Sequence, residues 1–171
     1  AALQVGGTTI HSFFELPFGP ISRREKIKLG RRKRAVLQQV DGIIIDEVSL
    51  VSCDVIDAID RILCNVTHEG IAFGGKQMIF CGDMYQLDPV LDRRDDNYGT
   101  ECPYFFKAHV FKYFEISRVE FKKVYRQEDS KFLSILNSVR RGICSEQDLK
   151  VLNDSGIKNL QTIGDDAIML T

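Results

Sequence analysis

Two apolar runs, Gly42-Ile43-Ile44-Ile45 and Lys76-Gln77-Met78-Ile79-Phe80-Cys81, end directly in polar groups, and they limit the fold more than any other feature of the chain. The first runs into Asp46-Glu47, the second into Gly82-Asp83 and then Gln86-Leu87-Asp88-Pro89. Apolar stretches of this length with little alternation are the pattern of strands buried on both sides of a parallel sheet. Between them Val51, Val55, Ile59 and Leu63 recur every four residues, which predicts a helix that Ser49 or Ser52 could cap. The resulting β-α-loop-β unit predicts an α/β fold, a parallel sheet with helices on both faces. Two strands of such a sheet deliver polar groups to one edge, which is the layout of a nucleotide hydrolysis site.

Downstream, residues 115–119 read as a further short strand. Phe132, Ile135, Leu136 and Val139 then define a helix that begins near Asp129 or Ser130 and is closed by Gly142. Ser145 and Asp148 form a capping-box pattern ahead of a last helix with Leu149 and Leu152 on its apolar face. The stretch 91–102, rich in Asp, Arg, Asn and Gly, reads as surface loop. Both ends read as cut, and 167–170 is a strand pattern with nothing after it to pair.

The bulk properties are those of one folded domain: 171 residues, 44% of them hydrophobic. There is neither a membrane-length apolar run nor a signal-peptide pattern, so the expected location is the cytoplasm, or the nucleus in a eukaryote. Five widely spaced cysteines, with no C-x-x-C pair, favour neither a disulfide frame nor a zinc site. They are expected to be reduced and mostly buried. The net charge of −1 hides a division: residues 1–40 carry eight Lys/Arg against two acids, a local balance of +6, which leaves −7 for the rest. The basic run 23–34 suits a phosphate backbone, whose counterions it would release; the alternative is a solvated helix or connector.

Hydrolysis of a nucleoside triphosphate needs magnesium on the phosphates, a group that orients or deprotonates water, and cations for the transition state. Asp46 suits the metal and Glu47 the water, because a turn beyond the strand lets neighbouring carboxylates reach one cleft. Exposed acids after a strand are also common without catalytic meaning. A glycine-rich phosphate loop of the form G-x-x-x-x-G-K-[ST] is absent from the 171 residues.

Taken together, G-G-T-T-I-H-S-F-F (6–14), I-I-I-D-E-V-S (43–49), G-G-K-Q-M-I-F-C-G-D-M-Y-Q-L-D-P-V (74–90) and V-Y-R-Q-E-D-S-K-F-L-S-I-L-N-S-V-R-R-G (124–142) carry a resemblance. The chain resembles the Pif-type superfamily 1 DNA helicases, relatives of RecD, the alpha subunit of exonuclease V, a group tied to DNA repair, recombination and telomere maintenance. The resemblance implies a RecA-like domain, incomplete here: residues 1–164 would be most of the first such domain, without its Walker A loop, and 165–171 the start of a second. It implies ATP and Mg2+ as cofactors and single-stranded DNA as partner, together with the remainder of the helicase polypeptide. Translocation would run 5′ to 3′, and the fragment alone is expected to be inactive.

Residue by residue, Asp46 and Glu47 fall on the Walker B pair, Asp46 on magnesium and Glu47 activating water. Gln86 falls on the third motif, where it couples the terminal phosphate to DNA contacts. Arg126 falls on the fourth, whose arginine reaches the γ-phosphate; otherwise it would pair with Glu128 or Asp129. Thr9, His11 and Ser12 fall on the motif that lies along single-stranded DNA; a lone His11 would otherwise be a packed or capping residue. Phe13 and Phe14 fit the core better than base stacking. Asp88 stands where the family usually has proline. Two other readings remain open: a magnesium-dependent nuclease using Asp46, Glu47 and Asp83, and a non-catalytic DNA-binding or docking module carried by residues 23–34.

Overall fold

The computed structural model describes residues 6–90, 103–125 and 129–160, the last six as backbone alone. The chain divides into two units, Ala1–Arg118 and Val119–Thr171. In the first, strand β1 (Gly42–Ile45) lies parallel to β2 (Gln77–Phe80), pairing Gly42 with Gln77 and Ile45 with Phe80. The ladder is extended at both ends, by Gln77 N–H to the Asp41 carbonyl (3.1 Å) and by Cys81 N–H to the Ile45 carbonyl (2.8 Å). The two ends where polar groups emerge are therefore side by side.

Helix α1 (Ile10–Phe14) starts at Thr9, whose Oγ1 accepts the Ser12 N–H. It stops at Glu15, whose φ of 52° cannot continue a right-handed helix. The chain then makes an excursion through residues 16–29, closed where Gly30 N–H donates to Glu15 Oε2 at 2.6 Å. The basic run resolves into this irregular stretch and the start of helix α2 (Arg31–Gln39). Arg34 is tied to Asn65, through its carbonyl (3.3 Å) and Oδ1 (2.6 Å), and Lys33 sits over the Phe13 ring, so these two cations serve packing.

Helix α3 (Cys53–Thr67) is the centre of the core. Its expected face is sealed, with Val55, Ile59 and Leu63 all buried alongside Ile56, Ile62 and Val66. Ser52 holds the N-cap position without a side-chain bond; the free N–H of Cys53 goes to the Pro103 carbonyl at 2.8 Å. Three aspartates one turn apart on α3 each take up a backbone N–H from elsewhere: Asp54 that of Ile21 (2.8 Å), Asp57 that of Val110 (3.1 Å), Asp60 that of Phe73 (2.7 Å). They pin three loops to one helix. Beside them Phe73, Phe80, Phe105, Phe111 and Phe114 interlock, in a mixture of edge-to-face, tilted and stacked pairs.

The two-sided burial expected of the strands holds on one face only among the described residues. Ile45 is buried, while Ile44 and Ile79 are 67% and 43% exposed. Alternate side chains of a pleated strand point to opposite faces, and α3 with the aromatic cluster covers just one. The thiols also depart from expectation: Cys53 is buried, but Cys81 is exposed at the open end of β2. Burial pushes the Cys53 and Cys64 thiols up from their ordinary range, and Cys102 lies outside the described residues.

In the second unit, α4 (Ser130–Arg140) is capped by Asp129, whose Oδ1 accepts the N–H groups of Lys131 (2.9 Å) and Phe132 (3.0 Å). Gly142, at φ 69°, follows its end as expected. Before α5 (Glu146–Leu160), Ser145 Oγ accepts the Asp148 N–H at 3.1 Å and Asp148 Oδ2 accepts the Ser145 N–H at 3.2 Å, a closed capping box. Residues 115–119 are irregular, not the strand expected: a short segment becomes a strand only by finding a ladder partner, and none is paired with it among the described residues. The loop 91–102 and the segment 165–171 lie outside the described residues, and so does the expected domain boundary after residue 164.

Candidate functional site

Asp46 is the first residue beyond β1, and Glu47 turns the chain through a left-handed φ of 53° into a single 3-10 turn, Val48–Leu50. Such a φ is unusual for a residue with a side chain and marks a backbone held by its surroundings. What holds it is the other strand: Val48 N–H donates to the Cys81 carbonyl at 2.9 Å, and Val48 itself is buried. The turn defeats the alternation that would send neighbouring side chains to opposite faces. Asp46 and Glu47 both line one cavity of about 610 Å³.

The same cavity is lined by Thr9, the cap of α1, by His11 within it, by Val51 ahead of α3 and by Val55 within α3. Two of the three residues expected to meet a nucleic acid thus share a cavity with two of the four expected to meet nucleotide. Ser12 is exposed and contributes its N–H to the Thr9 cap. His11 is half-buried, its ring parallel to that of the exposed Phe18 with centroids 6.0 Å apart. Phe14 is core, and Phe13 packs against it.

Asp46 and Glu47 are exposed. Asp46 Oδ1 accepts the Glu47 N–H at 3.0 Å, which fixes the carboxylate and leaves Oδ2 for a cation. One carboxylate with substrate phosphates and waters is a normal way to hold magnesium, so the donor set fits. Beyond β2, Asp83 organises its own turn: Oδ1 accepts the Tyr85 N–H (3.1 Å) and Oδ2 the Gln86 amide Nε2–H (3.2 Å). Gln86 is exposed and aligned by that bond, outside the cavity lining. Asp88 accepts a bond from the Tyr104 hydroxyl at 2.9 Å, so the acid standing in a proline position ties the loop to residue 104. Arg126 lies outside the described residues.

Among the described residues no three metal-ligating side chains gather, so Asp46, Glu47 and Asp83 do not form a two-metal cluster. Sequence reasoning missed the role of the Val48 to Cys81 hydrogen bond, which joins the two strand ends. Its only signal was that both runs end in polar groups.

A family profile described as PIF1-like helicase matches residues 1–150. Human ATP-dependent DNA helicase PIF1 is 32% identical over 174 aligned residues, all of this chain and 26% of the relative. The Saccharomyces cerevisiae helicase RRM3 is 29% identical across 83% of this chain and 20% of its own length. Among solved structures, Bacteroides Pif1 bound to ssDNA superposes with a TM-score of 0.84 and 35% identity, over 90% of this chain and 37% of that one. The Bacteroides Pif1 complex with ADP-AlF3 and ssDNA gives 0.83 and 31%, over 98% and 46%. The chain spans about a quarter of the length of the human relative.

Proposed function

The chain belongs to the PIF1-like helicase family, and from that premise we propose that it is most of the first RecA-like domain, residues 1–164, of an ATP-dependent helicase that moves 5′ to 3′ on single-stranded DNA. The observation that carries this reading is the shared cavity. Asp46, Glu47, Thr9 and His11 all line it.

Magnesium, when bound, would neutralise phosphate charge, and Asp46 is the residue that would hold it. Glu47, released from strand alternation by its left-handed turn, orients the attacking water and takes its proton. Gln86, aligned by Asp83, senses the terminal phosphate from the neighbouring strand end. Arg126 supplies positive charge to the transition state. Thr9, His11 and Ser12 meet the DNA backbone, with the exposed cations of residues 23–32 adding a salt-sensitive attraction. The 171 residues hold no phosphate loop, so the chain on its own is expected to show no steady-state turnover.

The test is Glu47→Gln in the full-length polypeptide. DNA-stimulated ATP turnover is expected to fall about 100-fold or more, with nucleotide and DNA binding kept. Near-normal turnover would overturn the assignment. Metal-dependent DNA cleavage lost on Asp83→Ala would instead support the nuclease reading.

A further inference from the structure

Gly82 makes the tightest backbone approach at the site. A Cβ built there would lie 2.9 Å from Val48 N, 3.1 Å from Val48 Cγ1 and 3.3 Å from Ser49 N. Two of those atoms are backbone, and Val48 and Ser49 are buried, so the turn has no room to retreat. The φ of Gly82 is not in the left-handed region, so the position uses the glycine for space and not for conformational freedom. Directly before this contact lies Glu47 at φ 53°, and the Ser49 hydroxyl within the turn is buried and has no hydrogen-bond partner among the described residues. A turn with a left-handed glutamate and an orphaned hydroxyl is not at its own optimum; it is held there by what packs against it.

We propose that Gly82 is a positioning residue for Glu47: its missing side chain lets the end of β2 close on the Walker B turn and sets the direction of the glutamate. Gly82 directly precedes the Asp83 to Gln86 turn, so the contact joins that turn to the one carrying Glu47 through backbone. This rests on the reading of Glu47 given above.

The test uses Gly82→Ala in the full-length polypeptide, with Gly74→Ala and Gly42→Ala beside it. Gly74 lies ahead of the opposite end of β2 at φ 60°, and a Cβ there would meet Thr67 Oγ1 and the Leu63 carbonyl at 2.5 and 2.7 Å, a steric conflict remote from the cavity. At Gly42 the nearest atom would be at 3.4 Å, an ordinary contact. Unfolding midpoint, affinity for a non-hydrolysable ATP analogue, affinity for oligo(dT) and kcat per folded molecule are measured for each.

Gly82→Ala is expected to lower kcat about 100-fold while both affinities stay within about threefold, because a small misplacement costs the chemical step and not binding. Gly74→Ala should lower the unfolding midpoint at least as much yet keep kcat within about threefold. The proposal is overturned if Gly82→Ala keeps kcat, or if the two alanine variants lose kcat in proportion to lost stability. Should Gly82→Ala not fold, Val48→Ala loosens the same joint from the other side; about a fivefold loss of kcat with affinities kept supports the proposal, and unchanged kcat overturns it. Glu47→Gln separates the two readings: an inactive Glu47→Gln beside an active Gly82→Ala sinks only the role of Gly82, whereas an active Glu47→Gln removes the premise.

Discussion

Helix α3 and the strand ends beside it use the same residue type for opposite purposes. On α3, Asp54, Asp57 and Asp60 accept backbone N–H groups of Ile21, Val110 and Phe73, all from distant segments. At the strand ends, Asp46 accepts the N–H of its own neighbour Glu47 through Oδ1, and Glu47 is exposed on a strained turn. An acid bonded to far-off backbone is part of the scaffold. Asp46, bonded to its neighbour through one oxygen, presents the other to something that is not protein.

The comparison breaks most readily in the core of α3. Ile59, fully buried, is expected to lose about 2–5 kcal/mol of stability on change to alanine, by denaturant titration, with kcat per folded molecule unchanged. Asp57→Ala comes next: it strands the buried Val110 N–H, and the expected cost is about 1–3 kcal/mol. Asp46→Asn is the matching variant at the strand end, where stability should move by less than about 0.5 kcal/mol while magnesium-dependent turnover collapses. Equal stability losses for Asp57→Ala and Asp46→Asn would erase the distinction.

Smaller effects sharpen it in the second unit. Asp129→Ala removes the acceptor for two N–H groups of α4, expected to cost about 1 kcal/mol and to show as faster amide exchange at Lys131 and Phe132. The smallest is a pH effect at Asp148. Hydrogen bonds from the Ser145 hydroxyl and N–H hold its carboxyl below the usual carboxylate range. A lowered folded value means that the contribution is complete above the ordinary carboxylate range and is lost as pH falls through the lowered one. Titration followed by NMR should show this, and Ser145→Ala, which removes the hydroxyl but keeps the backbone N–H, should bring Asp148 part of the way back to ordinary behaviour.

The contrast also explains what could be read in advance. The pairing of the two apolar runs as parallel strands, the buried face of Val55, Ile59 and Leu63 on α3, the Asp129 cap, Gly142 and the Ser145 box follow from local patterns, and these stand as expected, whereas the two-sided burial of the strands does not. The adjacency of Asp46 and Glu47 was legible too. The roles of Asp54, Asp57 and Asp60 were not, because their partners lie 33, 53 and 13 residues away and a helix pattern says nothing about what meets its polar positions. Residues 115–119 misled for the same reason: a short segment can suggest a strand, but only a neighbour makes one. Gly82 carried no signal of its own, since the sequence cannot show which backbone passes within reach of a missing side chain.

The bond from Gly30 to Glu15 has a consequence for how such a chain can change. It ties the two ends of residues 16–29 together through the Glu15 side chain, at 2.6 Å from its Oε2 to the Gly30 nitrogen, so the excursion leaves and re-enters the body of the unit close to one point. Loop entropy grows only logarithmically, and doubling such a length costs about 0.6 kcal/mol. New material could be spliced into this gate, even a small folded module, while the sheet edge, α3 and the cavity stay in register.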